Sequence, residues 1–141
     1  MPKQSHNRSR AEPKPVDEKI TINLGCVDLG QIDLLVQEGF YANRTDLIRT
    51  AIRNQLAIHG DVVREFVTRK TLVLGIQHYG VSELTALQAR GEKLQIRVLG
   101  LASIAPEVTP ALALDTIESI TVLGALHASP AVKAALAQRL R

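Results

Sequence analysis

Lys19, Thr21 and Asn23 stand two residues apart. They bring an ammonium, a hydroxyl and a carboxamide to one side of a short segment. Such a row offers hydrogen-bond donors and acceptors to a polar partner. Between them, Ile20, Ile22 and Leu24 give the opposite side a purely apolar character. Further along, Asn43 and Asp46 have the three-residue spacing of a helix start, with Asn43 as the N-cap and Asp46 at the acidic position of a capping box. The backbone N–H groups at such a start, together with the helix dipole, favour an anion.

The other reactive side chains form no catalytic set. There is no glycine-rich phosphate loop, and neither a Ser/His/Asp context nor paired carboxylates in an evident cleft. Asp115 and Glu118 flank a strand entrance and are expected in solvent. A single cysteine, Cys26, leaves no internal disulfide and no four-cysteine zinc site. No base lies near it to activate the thiol. The chain is therefore not expected to be an enzyme, and it calls for no cofactor.

Composition narrows the partners. Of 141 residues, 45% are hydrophobic but only 3% aromatic, with no tryptophan. A core must then come from Leu, Ile, Val and Ala, and base stacking on an aromatic platform is disfavoured. No apolar run reaches the ~18 residues of a membrane span. The N-terminus has no apolar leader, so a cytoplasmic protein without membrane contact is expected. The net charge of +3 is unevenly spread. Residues 1–17 carry +2, residues 18–59 carry −1, and residues 60–93 and 94–141 carry +1 each. Residues 1–17 hold three of the six prolines and almost no apolar side chain, and so are expected to be a disordered basic arm.

Order begins at Glu18. Strict alternation over 19–24 predicts a half-buried strand, which Gly25 stops. Leu29, Ile32, Leu35 and Val36 recur at helical spacing, and Gly39 is placed for a left-handed C-terminal cap. Asp28 is a candidate cap that would shorten this first helix. Leu47, Ile48, Ala51, Ile52 and Leu56 continue the pattern in a second helix that runs to about His59, before Gly60. Arg49 and Arg53 fall on its other side, in solvent, in reach of Asp46 or of a phosphate. A single strand and two helices in a unit this small rarely hold a core alone. A homodimer solves the problem by pairing two strands as an antiparallel ribbon over four helices. Its core would be Ile20, Ile22, Leu24, Ile32, Leu35, Leu47, Ile48, Ala51 and Ile52.

The order of these elements, with Lys19-Ile-Thr-Ile-Asn-Leu24, Ile32-Asp33-x-Leu35 and Gly39-Phe-Tyr-Ala-Asn-Arg-Thr-Asp-Leu-Ile-Arg49-x-Ala51, resembles the ribbon-helix-helix (MetJ/Arc/CopG) superfamily of transcriptional regulators. The resemblance spans residues 18–59. It implies a homodimer binding double-stranded DNA, with the ribbon in a major groove about 12 Å wide. Lys19, Thr21 and Asn23 would read bases: lysine suits guanine, asparagine suits adenine, and threonine can bond either way. Asn43, Arg44 and Thr45 would meet a phosphate, with Arg8 and Arg10 of the arm as further phosphate contacts. At Gly25-Cys26-Val27 the chain departs from the family pattern, which more often has a capping Asp, Ser or Pro there.

Residues 60–70 read as a connector that fits a helix better than a strand. Beyond them, Thr71-Leu-Val-Leu-Gly75, Ile96-Arg-Val-Leu-Gly100 and Ile120-Thr-Val-Leu-Gly124 repeat at spacings of 25 and 24 residues. Pro106 aligns with Pro130, each at a first helical turn, and Ser82 is a candidate cap in the first copy. Three strand–helix repeats over 71–141 predict a small β/α solenoid similar in geometry to leucine-rich repeats. The alternative is an antiparallel ferredoxin-like sandwich. In the parallel stack His78, Ser103 and His127 form a column, with the two histidines roughly 9.6 Å apart, too far to share one metal ion. The fold class expected is α+β, a dimeric ribbon-helix-helix unit followed by this repeat domain for interaction or sensing. The function expected is a sequence-specific repressor-type regulator, dimeric or of higher order. The alternative is an antitoxin or scaffold, dimerising through residues 18–59 and holding a protein partner on 71–141.

Overall fold

The computed structural model describes residues 17–141. The proposed arm, with Arg8 and Arg10, lies outside the described residues except at Asp17.

The described residues open with a segment, 17–25, that forms neither helix nor strand. The alternation of 19–24 predicts a strand. A strand exists only with a pairing neighbour, and one chain supplies none here. Helix α1 (Cys26–Gln37) follows, capped by the backbone of Gly25 with no side-chain bond. Asp28 therefore lies inside the first turn, and the helix is not shortened. Gly39 closes it at φ 83°, with Gly39 N–H donating to Val36 O and Phe40 N–H to Leu35 O, the paired bonds of a Schellman end.

Helix α2 (Arg44–Ile58) starts at Asn43, as its cap predicts. Gly60 ends it only by starting another: the connector is helix α3 (Gly60–Arg69). Thr71 then takes a left-handed φ of 51°. That conformation is costly for a β-branched residue. Arg97 bridges this corner, donating to Thr71 Oγ1 at 2.9 Å and to Lys70 O.

Three strands and three helices complete the chain. They are β1 (Val73–Tyr79), α4 (Val81–Arg90), β2 (Leu94–Ile104), α5 (Pro110–Thr116), β3 (Ile117–His127) and α6 (Pro130–Ala135), followed by a 3-10 turn, Ala137–Arg139. The sheet order is β1-β2-β3 and both pairings are parallel. The antiparallel pairing of the sandwich alternative is therefore wrong for these strands. The repeat register holds: Gly75 faces Gly100 and Gly100 faces Gly124, while His78, Ser103 and His127 align across the strands. The glycines carry φ values of 128°, 137° and 126°. A Cβ on Gly100 would sit 2.2 Å from Gly75 O, and one on Gly124 2.1 Å from Gly100 O, so these two positions admit no side chain.

Two expected helix starts are corrected. Pro110, not Pro106, matches Pro130: both follow a hydroxyl cap, Thr109 and Ser129, which accept from Leu112 and Val132 N–H. Pro106 lies in a turn closed by Val108 N–H to Ala105 O. Ser82 does not cap α4, because the helix begins at Val81 with Gly80, two residues before Ser82, as its N-cap.

The core lies between one sheet face and the helices. Leu84, Ile96, Val98, Ile117, Ile120 and Val132 are fully buried in it. Each such side chain contributes about 1.5–3 kcal/mol by leaving water. Leu140 meets the outer edge of β3 at one point, through an isolated bridge to Ile120. Asp115 and Glu118 are exposed as expected but accept from Gln88 and Gln95, tying successive repeats together.

Candidate nucleic-acid interface

Not one residue from 17 to 78 is buried in the single chain. The residues expected to form a dimer core are all at least partly open. Ile20, Ile22 and Leu24 are 74%, 57% and 42% exposed, and Leu35 and Ile52 are exposed with them. Ala51 is exposed, while Ile32, Leu47 and Ile48 are half-buried between α1 and α2. An apolar stripe this long is stable only against a further apolar surface.

Lys19, Thr21 and Asn23 are exposed on the extended segment. Glu18, just before them, is anchored at the far end of the chain: His127 Nε2 lies 2.8 Å from Glu18 Oε1. The exposed polar row thus begins next to a contact with the sheet.

The start of α2 is built as its sequence suggests. Asn43 Oδ1 accepts from Asp46 N–H at 2.8 Å. Asp46 returns the bond, but to Ala42 N–H at 3.1 Å rather than to Asn43. The shorter carboxylate selects a donor one residue earlier than the usual box. The first intrahelical bond is Leu47 N–H to Asn43 O. The N–H groups of Arg44 and Thr45 precede it and point to the helix start, where the dipole is positive.

Asn43, Thr45, Asp46, Arg49 and Arg53 line one shallow hollow of about 310 Å³. Arg49 and Arg53 also border a second hollow with Asp17, Glu18 and Ile52. Two guanidinium groups thus lie beside the capped helix start. Neither pairs with Asp46 among the described residues, contrary to one sequence expectation.

Arg44 is placed differently from its neighbours. Its guanidinium is held by Asp33, Nε to Oδ1 at 2.7 Å and a second nitrogen to Oδ2 at 2.8 Å. The hydrogen bonds of this pair hold the Asp33 carboxyl below its ordinary range and raise Arg44 further. Asp33 was missed as a partner because it lies eleven residues upstream on another helix. Its presence in the Ile32-Asp33-x-Leu35 motif was the available signal.

His78 and His127 sit on the two outer strands, with Ser103 between them. Among the described residues no group of three potential ligands gathers for a metal ion. Cys26 is exposed at the start of α1. No helix among the described residues is long and apolar enough to cross a membrane.

An α+β chain thus carries an open helix pair, with a polar-apolar extended segment before it and a three-stranded parallel sheet after it. A profile of the ribbon-helix-helix transcriptional regulator family matches residues 15–133, and the chain belongs to that family. The match runs through the helix pair and nearly to the end of α6. Neither the curated proteins nor the solved structures give a match.

Proposed function

We propose that this chain is a homodimeric, sequence-specific DNA-binding regulator whose paired segments 19–24 enter the major groove as an antiparallel ribbon. Lys19, Thr21 and Asn23 read base edges. The N–H groups of Arg44 and Thr45, with Asn43, hold a phosphate at the start of α2. Arg49 and Arg53 add charge beside them, and Arg8 and Arg10 of the arm reach the backbone further out. The Arg44 side chain serves Asp33, so its phosphate contact is through its backbone. Phosphate contacts set register, and the ribbon carries the sequence information.

One observation carries this reading: residues 18–59 hold an apolar set of which no member is fully buried in one chain. Family membership supports the same partner and the same class of task.

Selection of sheared genomic DNA by the full chain tests it. A two-fold dimer selects sites with two-fold symmetry. Enrichment of a symmetric site is the expected result. Uniform recovery of all fragments contradicts it and favours the alternative, a dimerising antitoxin or scaffold that works through residues 71–141.

A further inference from the structure

Three cations gather where α3 meets the sheet. Arg69 and Lys70 come from the end of α3, and Arg97 comes from β2. With Leu72, Thr121 and Leu123 they line one hollow of about 380 Å³, a volume in the range of small-ligand clefts. Arg97 and Thr121 are neighbours across β2 and β3. The Arg69 guanidinium lies 4.5 Å from the centre of the Phe66 ring and Lys70 Nζ 5.8 Å from it, so one ring holds both. Arg97 is steered by its bonds to Lys70 O and Thr71 Oγ1, both made by one terminal nitrogen.

The three lack a counter-charge. Among the described residues Arg44, Arg64 and Arg90 each hold a carboxylate, whereas Arg69, Lys70 and Arg97 hold none. The end of α3 sets only about half a negative charge against them. A cleft lined by one sign of charge, with apolar walls such as Leu72 and Leu123, concentrates the opposite ion. Thr121 adds a half-buried hydroxyl to the wall. We propose that this hollow binds the terminal phosphate of a small phosphorylated ligand.

Charge decides among the anions. A phosphate monoester carries about −1.5 to −2 at pH 7 and three strong acceptor oxygens. A carboxylate or a phosphodiester of the DNA backbone carries a single negative charge. Three cations and a hydroxyl, drawn from three elements, match the more highly charged group. The arginines present planar forks to such oxygens and the lysine a point charge. Leu72 and Leu123 leave an apolar wall for the body of the ligand. The bound phosphate bridges α3 to β2 and β3, and α3 follows α2 with only His59 between them. The site uses none of the residues assigned to DNA, so it goes beyond the DNA-reading proposal.

Calorimetric titration of the full chain tests it, with phenyl phosphate as the monoester and diphenyl phosphate as the diester. The wild-type chain is expected to bind phenyl phosphate saturably, and diphenyl phosphate roughly ten-fold or more weakly. Arg69→Gln/Lys70→Gln is expected to weaken phenyl phosphate by a similar factor. Both side chains are exposed, and Arg97, which holds the Thr71 corner, is kept. Lys133→Gln/Arg141→Gln removes the same charge elsewhere and is expected to bind as the wild type does. No saturable binding, equal loss in the two double variants, or a diester bound as tightly as the monoester overturns the proposal. A salt series on random duplex DNA separates the other source of phosphate. Equal slopes for the wild type and Arg69→Gln/Lys70→Gln are expected. A slope lower by about one or more in the variant, without phenyl phosphate binding, assigns the hollow to the DNA backbone and overturns the small-ligand site. The calorimetric arm contains no DNA, so its failure is read apart from any failure of base reading by the ribbon.

Discussion

Asp33 receives both arms of the Arg44 guanidinium, and through them α1 is tied to the first turn of α2. The pair is about half exposed, so solvent screens its energy. Its value is geometric: it fixes where the start of α2 points. Asp33→Ala is expected to shift the urea midpoint only slightly and to weaken DNA binding more than its small stability cost suggests. Parallel denaturation and DNA titrations check this.

The same pair sets an acid limit. The Asp33 carboxyl is held below its ordinary value of 3.8. A depressed carboxyl contributes stability that is present above the ordinary value and lost as pH falls through the lowered one. The tie between α1 and α2 is therefore expected to persist to about pH 4 and to fail below it. The Asp33→Asn variant is expected to lack that acid step. Helix content followed by circular dichroism from pH 6 to pH 2 reads both.

The glycine column predicts an order among three identical substitutions. Gly75→Ala meets no atom within 4 Å and suffers only from its φ of 128°. Such strain costs of order 1–3 kcal/mol. Gly100→Ala and Gly124→Ala add a Cβ at 2.2 and 2.1 Å from a carbonyl oxygen. Urea denaturation is expected to rank Gly75→Ala as mildest, with the other two near or beyond loss of the fold.

Asn43→Ala removes the side-chain acceptor for Asp46 N–H. Caps of this kind are worth typically ~1 kcal/mol. The variant is expected to lose about that much stability, while Asn43→Ser retains most of it. Both are read by thermal or urea unfolding, and both chains are then compared on DNA.

Much of the fold was legible because its signals are local. Asn43 and Gly39 each act within one helical turn, and both sit where the sequence placed them. The Val-Leu-Gly repeat was legible because one backbone demand, a positive φ at the glycine, recurs in each strand. What failed depended on neighbours. Pro106 and Pro110 are equivalent as prolines, and the hydroxyl of Thr109 decides which one starts α5. Gly80 takes the cap position that Ser82 was expected to fill. The strand expected at 19–24 is not formed in the single chain, because its hydrogen bonds need a neighbour that alternation does not supply. The Asp33–Arg44 pair joins two helices across a turn, and no periodicity reports it. The site residues were legible as types in a pattern, but the gathering of Arg49 and Arg53 beside Asn43 required the packing of α2.

The most direct test is a titration of the full chain and its Thr21→Ala/Asn23→Ala variant on a selected site and on unrelated DNA. Both residues are exposed, so the variant keeps its fold. The wild-type chain is expected to prefer its site by roughly 10³ or more. The variant is expected to lose most of that preference while keeping salt-dependent binding to any DNA. Equal preference in the two chains would contradict base reading by the ribbon.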